Sequence, residues 1–333
     1  MDDSTLGTRD KRGDWKPNYK LEIAPFWDWP PNLMKVLKWI PNFLFPWNAF
    51  HLAVTLIYWF FLLPDQETMK TITWDWALWL FVCNTVGVAL LFGGIEYFWL
   101  HKRRQGTKFK YSGKFPGDSK SDVFWFNDQN IDNALRTFLL SVPLWTLVQV
   151  FFLWVYANEF VPWVSWKDSP IYLVCIMLLT PAIHEVHFYI MHRALHWGPL
   201  YKWIHSIHHN SINATPFSSL SMHPIESFLF FSQALWHLVI PSNPFCALFQ
   251  LNFTAYGSIN GHIGYEKLEV SEKLHIPSEA YAHYLHHKYF DVNYGGDGFV
   301  PLDKWLGTWH DGTPEGQKLM QARFKKRAAA QNT

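Results

Sequence analysis

The chain has 333 residues, a formal net charge of +1 at pH 7 and 49% hydrophobic residues. The balanced charge argues against a nucleic-acid-binding protein, and the hydrophobic content excludes a disordered chain. Twenty Trp and twenty-eight Phe accompany long apolar runs, which is typical of membrane proteins whose rings lie at the headgroup level. A large soluble core is the alternative, but the length of the apolar runs favours membrane spans.

The N-terminal segment, residues 1–47, is polar and then aromatic and Pro-rich, which predicts a cytosolic lead-in. Residues 34–45 are expected to lie in the membrane interface, where Lys35 and Lys38 reach towards water. No apolar signal-peptide region is found, so we expect no cleavable signal. Four apolar runs then predict transmembrane helices at about residues 49–63, 74–100, 135–156 and 171–190.

The loops predict the orientation of these helices. Residues 101–131 contain seven Lys or Arg against three Asp, whereas the loops at 64–73 and 158–169 are short and slightly acidic. Because positive loops stay in the cytosol, the 101–131 loop and both termini are predicted there. The fourth helix then emerges on the cytosolic side at His192.

Residues 225–253 are again apolar but are interrupted by Pro241-Ser-Asn-Pro244. This pattern fits two half-spans that return to the cytosol, or a re-entrant or interfacial hairpin. Nine closely spaced histidines follow the fourth helix, between residues 192 and 287. The predicted fold is therefore an all-α integral membrane protein with four transmembrane helices, this hairpin, and a cytosolic histidine-rich helical cap that binds two metal ions. The predicted regions are the lead-in, spans one to three (48–170), a catalytic domain (171–310) and a basic tail (311–333).

The cysteines, the glycosylation sequons and the C-terminal tail agree with a cytosolic location of the C-terminal half of the chain. The three Cys lie in apolar stretches without paired spacing, so we expect them to be buried and reduced: Cys83, Cys175 and Cys246. The glycosylation sequons at Asn213 and Asn252 are expected to be unmodified. The basic tail after Arg323 is expected to be a solvated helix attracted to the membrane surface.

Fourteen of the seventeen His lie between His184 and His287. H-x-x-H-H occurs twice, and positions i, i+3 and i+4 share one helix face, so each cluster can direct three imidazoles at one point. So many imidazoles would repel one another once protonated, which favours bound metal. Imidazole suits iron, zinc, copper and nickel alike. A structural zinc site needs only four ligands, usually including Cys. The candidate metal ligands are His192, His196, His205, His208, His209, His262, His283, His286 and His287.

The spaced histidine clusters and their flanks resemble the fatty acid hydroxylase and sterol desaturase superfamily of membrane histidine-box di-iron oxygenases. The resemblance covers residues 171–309 and is nearest to the C-5 sterol desaturases and C-4 methyl sterol oxidases. The chain departs from the common lead-in at His184-Glu185-Val-His187. The flanking segments that carry the resemblance are Phe188-Tyr189-x-x-His192-Arg193, His223-Pro-Ile-Glu226, His262-x-Gly-Tyr-Glu266 and Asp303-Lys-Trp-Leu-Gly-Thr308.

The resemblance implies O2-dependent hydroxylation or desaturation of a lipid, a sterol or a fatty-acyl lipid, at two Fe2+ ions, with zinc as a substitute in purified protein. It also implies separate electron donors, a small haem-b cytochrome and an NAD(P)H reductase, and the endoplasmic reticulum as location in a eukaryote. Carboxylates that contact the ligands from outside are expected to offset the metal charge and to orient the ligands, with Glu226 and Glu266 as candidates.

Other residues have open assignments. His223 is a metal ligand, a residue that donates to a ligand, or the start of the helix at Pro224. His187 and His184 are each a metal ligand, a neighbour of a ligand or a packed helix residue. His237, Tyr189 and Tyr265 are weak candidates for the substrate tunnel, with core packing as the alternative. Four histidines are assigned to solvated or interfacial positions: His51, His101, His275 and His310.

Two other functions compete with the lipid oxygenase. Histidine pairs also serve membrane metal transporters and haem-b electron-transfer proteins, but those place their histidines mid-span. A catalytically inactive relative is a third alternative, against which the intact clusters argue. The sequence leaves open the lipid, hydroxylation versus desaturation, the physiological metal and the oligomeric state.

Overall fold

The computed structural model describes residues 3–161, 163–278, 280–296 and 299–331. It is mostly helical, and four of its helices are long and apolar enough to cross a membrane. This confirms a helical membrane protein with four candidate spans. We name them spans 1 to 4: Leu33–Leu62, Trp74–His101, Gln129–Ala157 and Pro170–Leu195.

The described residues form fourteen α-helices, two small antiparallel sheets and several short 3-10 and π-helical turns. The helices are α1 Leu33–Phe43, α2 Ala49–Ile57, α3 Gln66–Met69, α4 Trp74–Ile95, α5 Gln129–Arg136, α6 Val142–Ala157, α7 Pro170–Leu195, α8 Gly198–Leu200, α9 Ser206–His209, α10 Pro224–Phe231, α11 Pro244–Gly257, α12 Tyr281–Tyr289, α13 Leu302–Trp305 and α14 Pro314–Gln331. The strands are β1 Gly7–Arg9, β2 Trp15–Pro17, β3 Lys267–Glu269 and β4 His275–Pro277.

Span 1 begins earlier than the sequence predicted. The Asn32 side chain caps α1, so the helix starts at Leu33 instead of near residue 49. Phe45 interrupts it with extended dihedrals (φ −128°, ψ 141°), because the residue before Pro46 disfavours helical geometry. The predicted interfacial segment and the predicted first span are thus two parts of one bent element.

Helix α11 lies at the centre of the bundle, packed against α2, α6 and α7. Side-chain hydrogen bonds fix it there. Asn252 donates to Thr55 (3.2 Å), Gln250 to Gln233 (2.8 Å), and the Tyr256 and Tyr58 hydroxyls are 3.0 Å apart. Buried polar groups need such partners in an apolar bundle. These bonds hold the helix next to span 1.

The residues between α10 and α11 reach the end of span 4 that is distant from His192. Val164 donates its N–H to the Ser242 carbonyl (2.6 Å), and the Tyr172 hydroxyl donates to the Pro241 carbonyl (2.6 Å). His192 lies about 30 Å along α7 from Tyr172, at about 1.5 Å per residue. The segment 224–257 therefore runs down the bundle and back to the histidine half.

Both termini pack against the histidine half of the molecule. Trp15 N–H donates to the Tyr111 carbonyl (2.9 Å), and the Trp27 indole donates to the Phe299 carbonyl (2.8 Å). In α14, Met320 is buried in the same cluster as Trp15. Helix α14 is thus docked on the domain through Met320, whereas residues 325–329, which follow Arg323, are exposed as the sequence predicted.

Candidate metal centre

The candidate ligands come from four elements that meet at one end of the bundle. His192 and His196 end α7, and a π-helical turn with α9 carries His205, His208 and His209. His262 ends a 3-10 turn, Ser258–His262. Helix α12 carries His283, His286 and His287. Separate parts of the sequence therefore supply one site.

The nine imidazoles form two groups, in each of which one ligand nitrogen per residue lies within 4.8 Å of all the others. The five-histidine group consists of His192, His196, His205, His209 and His286. The four-histidine group consists of His208, His262, His283 and His287.

This division corrects the expectation that each H-x-x-H-H cluster directs three imidazoles at one point. His205 and His209 enter the five-histidine group, but His208 enters the other. Likewise His283 and His287 stay together, whereas His286 crosses over. Adjacent residues are about 100° apart around a helix. Each cluster therefore contributes to both centres and ties them together.

Within each group the Nε2 atoms face one another. The separations are 2.9 Å for His192 and His205, 3.0 Å for His205 and His209, and 3.2 Å for His208 and His262. Two nitrogens bound at about 2.1 Å to one ion lie about 3.0 Å apart at right angles and about 3.4 Å apart in a tetrahedron. The spacing matches the edges of a metal coordination shell.

The outer ring nitrogens determine which tautomer is present. Nδ1 of His192 is 2.8 Å from the Tyr294 carbonyl, and Nδ1 of His286 is 2.7 Å from the Val292 carbonyl. A carbonyl only accepts, so each Nδ1 carries the proton and each Nε2 presents its lone pair inward. Lone pairs facing each other at this distance repel unless a cation lies between them. The donor set therefore fits bound metal.

Burial also keeps the imidazoles neutral. It lowers the pKa of His208 to about 4 and, with help from the His192 imidazole, the pKa of His196 to about 2. The pKa of His286 is likewise far below its ordinary value because of burial. Metal ligands must be deprotonated, so these side chains are ready to coordinate at neutral pH.

Glu226 contacts the five-histidine group from outside. Its Oε1 accepts from Nδ1 of His205 at 2.7 Å, and the side chain is buried. Oε2 has no hydrogen-bond partner among the described residues. Burial raises the pKa of Glu226 well above its usual range, and a cation in the group would offset that cost. This contact matches the expectation that Glu226 touches a candidate ligand.

Glu266 does not have the predicted position. Its carboxylate accepts from the hydroxyls of Tyr19 and Tyr111, the latter at 2.8 Å, and it touches no candidate ligand. The prediction that it orients a metal-bound histidine is wrong in this geometry. The N-terminal segment supplies its partner Tyr19, and no motif in the sequence indicated that contact.

Three histidines with open assignments lie outside both groups. His223 caps α10, its Nδ1 accepting from the Ile225 N–H at 3.2 Å. His187 bonds the Leu229 carbonyl through Nε2 at 3.0 Å. His184 packs against aromatic rings, with Phe253 at 5.3 Å. Of the assignments left open, packing and capping fit these contacts.

The tunnel candidates are also held by local contacts. Nδ1 of His237 is 2.6 Å from the Ser242 hydroxyl. The Tyr189 hydroxyl accepts from Arg193, and the Tyr265 hydroxyl donates to the Trp99 carbonyl at 2.9 Å. Core packing, the alternative to a tunnel, accounts for all three.

The solvated or interfacial assignment is wrong for two histidines. His51 is 1% exposed and His310 is 2% exposed. His51 lies against α11, and His310 stacks on Tyr289 at 5.4 Å. His101 and His275 are exposed as expected.

Two acids that sequence reasoning did not place in the site hold the loop that orients His192. Asp303 accepts from the N–H groups of Tyr294 (2.9 Å) and Gly295 (2.7 Å), and Glu185 accepts from the Val300 N–H (2.6 Å). The Tyr294 carbonyl then bonds His192. The motif at Asp303 and the atypical Glu185 were visible in the sequence, but this loop contact was not.

A bundle of candidate spans that ends in two adjacent all-histidine groups defines a class of helical protein with two candidate metal-binding groups. Within that class, residues 177–308 match the family model described as Fatty acid hydroxylase. The predicted resemblance to this superfamily is therefore confirmed for the part of the chain that carries the histidines.

The curated relatives match between about a third and two fifths of the chain. It is 33% identical over 108 residues to Delta(7)-sterol 5(6)-desaturase ERG3 of Saccharomyces cerevisiae, covering 32% of this chain and 28% of the relative. It is 31% identical over 149 residues to ERG3A of Gibberella zeae, covering 41% and 40%. A Dictyostelium discoideum protein with the provisional name methylsterol monooxygenase is 28% identical over 139 residues, covering 41% and 52%. The chain thus aligns with about half or less of each relative's length. No solved structure matches.

Proposed function

We propose that the protein is a membrane-bound, O2-dependent di-iron oxidoreductase that hydroxylates or desaturates a lipid, with a sterol as the favoured substrate class. The observation that carries this proposal is the pair of histidine groups whose Nε2 atoms face each other at about the spacing of metal ligands. The matches to sterol desaturases support the substrate class.

In this proposal each histidine group holds one Fe2+, and zinc can replace it in purified protein. The bound iron supplies the capacity to reduce O2 and to oxidise an unactivated C–H bond. The chain's own residues prepare the site for this chemistry. The Tyr294 and Val292 carbonyls hold the protons on the outer nitrogens of His192 and His286, so that the inner nitrogens stay available as ligands.

Charge balance assigns a role to Glu226. Two ferrous ions carry four positive charges, which neutral imidazoles do not offset. The Glu226 carboxylate accepts from His205, so it places one negative charge next to the five-histidine group and makes that imidazole a stronger donor. Glu226 is therefore a positioning residue of the site.

We further propose that the histidine groups and both termini are cytosolic, in the endoplasmic reticulum membrane of a eukaryotic cell. The basic 101–131 loop and the two termini pack on the histidine half, so all of them lie on the same side of the spans. The positive charge of the loop then predicts the cytosolic side for all of them. The segment 224–257 has both ends on that half and its tip at the other, which supports a deep re-entrant hairpin.

A metal transporter or a haem-b protein fits this geometry less well. A transporter needs ligands along a path at the bilayer midplane, whereas both histidine groups lie together at one end of the spans. Haem needs its two axial histidines on opposite faces of a macrocycle, and Nε2 atoms about 3 Å apart leave no space for one. Oxidation by O2 also needs external electrons, and we propose a small haem-b cytochrome and an NAD(P)H reductase as the donors.

Expression in a Saccharomyces cerevisiae strain that lacks its own Delta(7)-sterol 5(6)-desaturase tests the proposal. Mass spectrometry of extracted lipids should show a new oxidised sterol that depends on O2. His208→Ala and His286→Ala should abolish it, because each removes a candidate ligand from one group. An iron-loaded protein that oxidises no lipid under O2 would contradict the proposal.

A further inference from the structure

Part of α11 and of the turn after it is less buried than its surroundings. Phe253, Gly257, Ser258, Asn260 and Gly261 are half-buried, whereas Thr254, Ala255 and Tyr256 are buried. We name Phe253, Gly257 and Gly261 the glycine strip. The strip ends at the four-histidine group, because a Cβ on Gly261 would lie 3.0 Å from the His283 ring.

His51 of span 1 borders the strip at Gly257. Its ring atoms Cε1 and Nε2 would lie 3.4 and 3.5 Å from a Cβ on Gly257. The side chain is 1% exposed, and neither ring nitrogen has a hydrogen-bond partner among the described residues. A buried donor and acceptor without partners are unfavourable. His51 therefore has hydrogen-bonding capacity that the fold itself does not use.

Span 4 forms the opposite border. The Phe253 ring lies between two imidazoles, 5.0 Å from His51 and 5.3 Å from His184. Phe188 follows His184 on the same helix face, with its ring 4.7 Å from that of His192 and 6.5 Å from that of His283. The strip thus has a largely aromatic border and leads from His51 to the candidate metal ligands.

We propose that the glycine strip binds the ring system of the lipid substrate and that His51 forms a hydrogen bond with a hydroxyl group on that ring system. This inference rests on the proposed function and narrows its substrate. A hydroxyl is both a donor and an acceptor, as a neutral imidazole is. Glycines let a flat apolar ring approach the backbone closely. His51 lies outside residues 177–308, so the matched family domain does not include it.

Binding measurements on the full-length, iron-loaded protein in lipid nanodiscs test the inference without requiring turnover. The probes are a radiolabelled Δ7-sterol with a free hydroxyl and the same sterol as its methyl ether, which cannot donate. The wild type should bind the free sterol about fivefold more tightly than the ether. His51→Phe should remove this preference and leave the iron content unchanged.

Two further variants separate binding from folding. His51→Gln keeps one donor and one acceptor in the side chain, so it should restore most of the preference. His101→Phe, at an exposed histidine of span 2, should behave as the wild type. Equal binding of the two probes by the wild type, no sterol binding, or an unchanged preference in His51→Phe would overturn the inference. Failure of the proposed function would instead appear as iron-loaded protein that binds the sterol selectively but never oxidises it.

Discussion

The two histidine groups differ in the contacts of their outer ring nitrogens, which face away from the centre of each group. In the five-histidine group the outer nitrogens of His192, His205 and His286 bond acceptors at 2.7–2.8 Å, one of them the Glu226 carboxylate. In the four-histidine group His262 bonds the Ser258 carbonyl at a longer 3.2 Å. Outer contacts fix ring orientation and raise ligand basicity. We therefore expect the five-histidine group to bind iron more tightly and the other group, next to the glycine strip, to face the substrate.

The largest expected effect comes from removing one ligand from either group. His286→Ala opens the five-histidine group and His287→Ala opens the four-histidine group, so each should lower lipid oxidation below about a thousandth of the wild-type rate, because the chemistry needs both ions. Product analysis in microsomes measures this. His275→Ala, at an exposed residue, is the control. Substantial activity in either ligand variant would show that its group is dispensable.

The next largest effect should appear in the iron affinity and should differ between the two histidine groups. Glu226→Gln removes the negative charge next to His205 and should weaken iron binding at the five-histidine group about 10- to 100-fold, with the four-histidine group unaffected. Iron titration of the stripped protein measures both sites. Glu266→Gln changes a carboxylate that bonds Tyr111 instead, so it should leave both affinities unchanged. Equal losses in the two variants would contradict the assigned role of Glu226.

A smaller, kinetic difference follows from the same contacts. A chelator should remove iron in two phases, with the four-histidine group losing its ion several-fold faster. His287→Ala should then show only the slow phase, and His286→Ala only the fast phase. Absorbance of the iron–chelator complex follows both. The reverse assignment would mean that the outer contacts do not control metal retention.

The smallest expected effect is a pH dependence of folding stability, which does not distinguish the two histidine groups. Lys110 is buried and donates to Asn213 at 2.7 Å, in the segment that follows His208 and His209. Burial lowers the pKa of Lys110 from 10.5 to about 7. Between these values the unfolded chain binds the proton and the folded protein does not, so stability should rise with pH from about 7 to about 10.5.

Thermal unfolding in detergent between pH 7 and 10 measures this effect. The wild-type Tm should rise by a few degrees across that range. Lys110→Met should abolish the part of the rise that comes from this residue, whereas Lys114→Met, at an exposed side chain, should retain it. A rise that persists unchanged in Lys110→Met would show that Lys110 remains protonated in the folded protein.

The sequence predicted the helical spans and the nine candidate ligands because both leave local patterns, namely apolar runs and repeated spacings. It did not predict how the ligands divide between two centres. His208 and His209 are neighbours in the chain but point to different groups, and that depends on how α9 faces α12. The same limit applies to Glu266 and Tyr19, whose contact joins distant segments without any repeated motif. His51 was assigned to a solvated or interfacial position because its burial depends on packing against α11, which the sequence does not reveal.

The most direct test of the paired metal centre is the iron content and ligand shell of the purified wild-type protein, prepared without oxygen. Elemental analysis should give about two iron ions per chain, and X-ray absorption should show a shell dominated by imidazole nitrogen at roughly 2.0–2.2 Å. One ion per chain, or a shell of sulfur or haem ligands, would contradict the account.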